Sequence, residues 1–194
     1  QRDQPWARVG LGMSLCHLGH YLSARDALQH VIDESHFCVE AYTWLARTYK
    51  ALGERGEAIG LLRKAIMLQS TVPELQGVLG SLAGQNQEWN VAVEAYNNAI
   101  RYARNSCFQS EDYYFSLVAA LLARDNFDRE IEEQAIRALE DVVLAFPGEP
   151  IVQFKSRLLA AQAYRRSGAS DRANLAARNA YDLFCGLELT EKAE

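Results

Sequence analysis

The sequence predicts an all-α fold, a solenoid of about five stacked helix–turn–helix hairpins. Three observations carry that expectation. Residue types recur at a fixed interval of 34 positions through the first half of the chain. Leucine and alanine are abundant and only 4 prolines occur among 194 residues, which favours helix. No segment alternates apolar and polar residues in the manner of a half-buried strand.

The first three units, about 5–36, 38–70 and 73–104, share the interval without a gap. Leu11 and Leu45 stand 34 apart, as do Leu15 and Tyr49, Gly19 and Gly53, Ala24 and Ala58, and Leu28 and Leu62. The register continues from Ala58 to Ala92, Leu62 to Tyr96 and Ala65 to Ala99. Two antiparallel helices approach closely only where side chains are small, so Gly12, Gly80 and the alanines supply room that Leu and Tyr fill. Gly19 and Gly53 suit a left-handed turn between the two helices of a hairpin, whereas the third unit has Gln87 there. One such hairpin cannot bury its own apolar face, so neighbours must stack.

The stretch "RYARNSCFQSEDYY", residues 101–114, breaks the interval. Tyr102 and Ala103 finish a helix, Asn105 is expected in a left-handed cap, and Ser110 is expected to cap the next helix. Glu111 and Asp112 then sit in its positive first turn. In the fourth unit, about 111–147, Leu117 replaces Leu79 after 38 residues. Its turn is longer, so that Ala135 becomes the small residue of a second helix running to Phe146, before Pro147. The fifth unit, about 149–186, regains the pattern through Ala161, Tyr164, Gly168, Ala173 and Ala180.

Composition narrows the function classes. A net charge of −5 gives no strong attraction to nucleic acid or anionic lipid, and no apolar run is long enough to span a membrane. Four cysteines without a C-x-x-C pair read as reduced thiols in a cytoplasmic protein. Cys16, His20, His36 and Cys38 have zinc-ligand chemistry. Cys16 and His20 could share a helix face, but the other pair falls at the opposite end of the hairpin, roughly 20 Å away, which excludes one tetrahedral site. Cys107 precedes a helix start, yet every histidine lies three hairpins away, so it lacks a base and is expected to pack as a small hydrophobe. Glu130, Glu132 and Glu133 read as the solvated start of a helix. No phosphate-binding loop, H-E-x-x-H or G-x-S-x-G motif occurs. The expectation is a protein that is not an enzyme and has no cofactor.

The repeat resembles the tetratricopeptide repeat. The Leu-Gly pairs Leu11-Gly12 and Leu79-Gly80, the turn glycines Gly19 and Gly53, and the helix-B residues Ala24, Ala58 and Ala92 match that family's pattern, while Ala46 and Gln87 depart from it. The resemblance implies a right-handed superhelical solenoid whose first helices line a concave, partner-binding face. By it, the groove-facing residues include Val9, Met13, Thr43, Trp44, Arg47, Val78, Ser81 and Phe115. Trp44 and Arg47 are types that dominate binding hot spots, although Trp44 equally suits packing between repeats. One subfamily clamps acidic C-terminal peptides with Lys, Asn and Arg. This sequence has Val9, Met13, Trp44, Glu74 and Val78 at those positions, so the clamp is absent, and an amphipathic helix or apolar strand suits the groove better.

Pro5-Trp6-Ala7 and the seam Asn105-Ser106, Phe108 and Asp112-Tyr113 resemble a narrower group, bacterial response regulators with a CheY-like receiver ahead of tetratricopeptide repeats. That resemblance implies a receiver domain before Gln1 and a cytoplasmic scaffold, the output or partner-docking region of a two-component regulator, binding a protein or peptide. Two further functions fit the repeat: a peptide-sensing regulatory domain and an accessory assembly factor. Homodimerisation is left open, because a terminal hairpin without a polar cap tends to pair.

Overall fold

The computed structural model of the chain describes residues 5–104 and 109–191, with side chains to residue 186. Asn105, Ser106, Cys107 and Phe108, on which the expected left-handed cap and much of the seam rest, lie outside the described residues. The described residues form ten α-helices and no strand: α1 (Pro5–His17), α2 (Tyr21–Glu34), α3 (Val39–Leu52), α4 (Arg55–Leu68), α5 (Pro73–Gln85), α6 (Trp89–Ala103), α7 (Glu111–Leu122), α8 (Arg129–Ala145), α9 (Pro150–Arg166) and α10 (Ser170–Glu191). Consecutive helices pair into five hairpins. Two compact units divide the chain, Gln1–Ser106 and Cys107–Glu194.

In the first unit, α1–α2, α3–α4 and α5–α6 are the hairpins, and α2 packs on α3 as α4 packs on α5. The repeat positions build the core: Leu28, Leu45, Leu62, Leu75 and Leu82 are fully buried, and Ala24, Ala58 and Ala92 are buried beside them. The small–large pairing follows from close approach. A Cβ on Gly12 would meet Leu28 Cγ at 2.5 Å, and one on Gly80 would meet the Tyr96 ring at 2.9 Å. Glycine at those positions lets the two helices of a hairpin lie against each other.

The turns share one geometry. Gly19, Gly53 and Gly168 adopt φ of 80°, 84° and 84°, and Gln87 adopts φ of 61° without being glycine. Each left-handed residue lets the following amide reach back to close the helix: His20 to Leu15 O, Glu54 to Tyr49 O, Glu88 to Ala83 O, and Ala169 to Tyr164 O, at 2.8–2.9 Å. The third hairpin therefore keeps the glycine conformation with a side chain that strains it.

The second unit comprises α7–α8 and α9–α10, with α8 on α9 and α7 also meeting α9. Ser110 caps α7 by accepting from the Asp112 amide at 3.3 Å, and Glu111 and Asp112 occupy the first turn. A longer turn follows α7, and Asp128 then caps α8 by accepting from the Ile131 amide at 2.9 Å. Ala135 is fully buried as the small residue of α8. That helix ends at Ala145, with Phe146 as its cap rather than its last residue.

Two local expectations are corrected. Glu132 is not solvated. It is 8% exposed and lies 4.0 Å from Arg172 Nη1, because it falls one residue after Ile131 on the face of α8 that meets the rest of the unit. Cys16 and His20 do not share a helix face. Helix α1 stops at His17, and the left-handed turn at Gly19 puts His20 at the start of α2.

Candidate functional site

Helix α3 has a face that the core covers only in part. Val39, Tyr42, Leu45 and Ala46 recur at helical spacing and are buried. Thr43 and Thr48 bury their hydroxyls by donating to the carbonyl four residues back, Val39 O at 2.9 Å and Trp44 O at 2.8 Å. The remaining face presents Trp44, Arg47 and Lys50, each half-buried and three residues from the next. Glu40 in the first turn, Lys50 in the last and the left-handed Gly53 suit both ends of the helix.

On this face the side chains form a connected row. The Arg47 guanidinium lies 4.8 Å from the Trp44 ring centroid. The His17 ring, from the end of α1, meets Trp44 edge-on, with centroids 5.2 Å apart and planes at 63°. Lys50 Nζ donates to Ser81 Oγ on α5 at 2.8 Å. Helices α1, α3 and α5 are thereby joined through polar and aromatic groups at the surface of the first unit. Trp44 packs against the core, as the packing expectation has it, and Arg47 and His17 flank its ring.

Arg47 and Lys50 are like charges one helical turn apart. Among the described residues, neither has a carboxylate within ion-pair distance. Burial, and then repulsion from Arg47, hold the Lys50 amine below its ordinary pKa. In contrast, Arg8 on α1 is paired with Glu34 of α2 at 2.8 Å.

The other expected groove residues fall into three groups. Met13 and Val78 are half-buried and pack against the same core, and Ser81 is half-buried in contact with Lys50. Val9 and Thr43 are corrected: at 3% and 9% exposure they are packing residues with almost no surface for a partner. Val9 points into the cluster that contains Leu28 and Val31, and Thr43 is turned onto its own helix. Phe115 belongs to the second unit, where it is half-buried with Lys155 Nζ 5.5 Å from its ring centroid. His17 was missed as a neighbour of Trp44. Its signal was its place on the last turn of α1, but the turn after it made it look like a loop histidine.

The second unit has a separate concavity of about 860 Å³ between α8, α9 and α10, floored by Leu139, Val143, Ala160 and Leu175. The Ser156 hydroxyl is buried at its lining without a hydrogen-bond partner among the described residues. Arg172 on this lining is engaged by Glu132 and by the Tyr164 ring, 5.9 Å away. Among the described residues, no group of three or more His, Cys, Asp and Glu could hold a metal ion, and no helix is long and apolar enough to cross a membrane.

Comparison with known proteins places the repeat. Residues 39–71, the hairpin that carries Trp44, Arg47 and Lys50, match the family model of the tetratricopeptide repeat. No curated protein matches the chain. Among solved structures, the fold is similar to that of MamA, with a TM-score of 0.77 and 23% identity over 94% of this chain and 93% of that one. It is also similar to a MamA double mutant, with a TM-score of 0.75 and 14% identity over 95% and 97% of the two chains. A third similar structure is YrrB, described as a TPR protein with an unusual peptide-binding site, with a TM-score of 0.72 and 15% identity over 96% and 91%. The all-α hairpin fold is thus that of tetratricopeptide-repeat proteins over nearly the whole chain.

Proposed function

We propose that the chain is a protein-interaction scaffold that docks a partner helix or peptide on the face formed by α1, α3 and α5. The observation that carries this reading is the row His17–Trp44–Arg47 on the surface of the first unit: an aromatic ring flanked by a cation, half-exposed, on a hairpin fold. Trp and Arg supply large contact area and charge-assisted hydrogen bonds when a partner excludes water from them. A similar structure, YrrB, is described as having a peptide-binding site, which agrees with this use of the fold.

The sequence resemblance extends the proposal. In it the scaffold is the output or partner-docking region of a cytoplasmic bacterial two-component response regulator, behind a receiver domain, and the receiver's state reaches the partner through the repeats. Its support is the resemblance in sequence at Pro5-Trp6-Ala7 and at the seam residues Asp112-Tyr113.

Partner capture tests the scaffold. The purified chain retains a protein or peptide that Arg47→Ala and Trp44→Ala release while helical content stays unchanged; equal retention by both variants overturns the reading. The regulatory extension has its own test. The expected result is a receiver encoded upstream of Gln1 whose phosphorylation alters partner affinity in the full chain; the lack of a receiver, or an unaltered affinity, sinks that extension and leaves the scaffold standing.

A further inference from the structure

We propose that the occupant of the α3 face is an amphipathic peptide carrying an Asp or Glu side chain, with its carboxylate seated between Arg47 and Lys50 and an adjacent apolar residue against Trp44. This rests on the docking face proposed above and names the chemistry that the face selects.

The charge arrangement carries it. Two cations stand three residues apart on one helix, where side chains are neighbours at about 5–6 Å. Neither has a carboxylate partner among the described residues, although the chain has a net charge of −5 and acids outnumber bases 25 to 20. Like charges left together and half-buried are destabilising unless something offsets them. Lys50 spends one of its three N–H donors on Ser81, which fixes where the ammonium sits. No side-chain hydrogen bond of Arg47 to the described residues accompanies its contact with Trp44, so its fork of donors is open to an acceptor. A carboxylate has two oxygens and can accept from both groups at once.

Charge selects a side-chain acid over a bare apolar helix. A partner with Gln in place of Glu leaves both cations desolvated and without a countercharge, which is the costly outcome when a face is covered. A peptide with Lys or Arg at that point adds a third like charge and is rejected. The repulsion from Arg47 that helps depress the Lys50 pKa is what a seated carboxylate opposes, while the burial that is its larger cause deepens under any bound peptide.

The test is selection of a phage-displayed random dodecapeptide library on the purified chain, followed by titration of the best synthetic peptide and its Glu→Gln or Asp→Asn counterpart. The expected result is an acid next to an apolar residue in the selected set. The neutral counterpart binds at least roughly tenfold more weakly, and affinity falls between 50 and 500 mM salt. Arg47→Gln and Lys50→Met each narrow the affinity gap between the acidic peptide and its neutral counterpart. Amide shift changes on α3 of the unmodified chain locate the peptide without any variant. Peptides that shift α3 but carry no acid, and that ignore Arg47→Gln and Lys50→Met, overturn the carboxylate seat and leave the docking face intact. Peptides that shift no α3 amide, or a library that yields no binder, overturn both.

Discussion

Lys50 on α3 donates a 2.8 Å hydrogen bond from Nζ to Ser81 Oγ on α5, tying the second hairpin to the third across 31 residues of sequence. The bond is made by an ammonium that is partly desolvated and one turn from Arg47, so it holds a charge in place at some cost to the free protein.

That cost has a pH signature. Lys50 has a folded pKa below its ordinary value of 10.5, so between the two values the unfolded chain holds more protons than the native one. Stability therefore gains a component that rises with pH through that window and is absent below it. Urea unfolding of the chain and of Lys50→Met from pH 7 to 10.5 gives a wild-type minus variant difference that climbs with pH; a flat difference shows that Lys50 is not desolvated.

Gly80 and Tyr96 give a packing prediction. A Cβ at Gly80 lies 2.9 Å from the Tyr96 ring, so Gly80→Ala overpacks the third hairpin and costs about 1–3 kcal/mol. The equivalent pair in the second hairpin is Ala46 with Leu62, both fully buried. Adding Tyr96→Leu to Gly80→Ala recreates that pair and recovers part of the loss. Denaturant midpoints of the two single variants and the double variant measure the coupling.

Gln87 predicts a gain. It holds φ of 61° at the position where Gly19 and Gly53 hold 80° and 84°. Gln87→Gly relieves that strain and raises stability by about 0.5–1 kcal/mol, whereas Gly53→Ala lowers it by about 1 kcal/mol. Thermal unfolding of the two variants, in opposite directions, checks the pair.

Asp128 predicts a local effect in the second unit. Its carboxylate accepts the Ile131 amide at 2.9 Å after the lengthened turn. Asp128→Ala leaves that amide without its cap and costs about 0.5–2 kcal/mol, and Asp128→Asn keeps most of it. Hydrogen exchange is expected to rise in the first turn of α8 and to stay unchanged in α1–α6.

Arg47 predicts a separation of binding from stability. Its guanidinium is half-exposed and its contact with Trp44 is worth only about 0.5–1 kcal/mol. Arg47→Ala is expected to leave the melting temperature within a few degrees of wild type while partner retention falls at least fivefold. Loss of both together reassigns Arg47 to the fold.

The hairpin architecture was legible because its constraints are one-dimensional. A small residue in one helix faces a large one sixteen positions on, as in Gly12 with Leu28 and Gly80 with Tyr96, and the interval repeats those pairs at spacings visible in a string. Caps such as Ser110, and left-handed glycines such as Gly53, are local too, since each depends on its own few neighbours. Gln87 was legible only as a departure. That it keeps the glycine geometry follows from the helices on either side of it, which hold the turn closed through the Glu88 amide and Ala83 O.

The proposed docking face was half-legible. The repeat register put Trp44 and Arg47 on one helix face, because i and i+3 positions are neighbours in any α-helix. What tertiary structure alone decided is which residues of that face remain at the surface and what meets them. Val9, Thr43 and Glu132 have side chains that suit either environment at the sequence level, and close packing of neighbouring helices buried them. His17 against Trp44 and Lys50 against Ser81 join residues 27 and 31 positions apart, and such contacts depend on how one hairpin stacks on the next. Sequence determined the hairpins, because their pairings are local and periodic; stacking decided the site, because its partners come from three different hairpins.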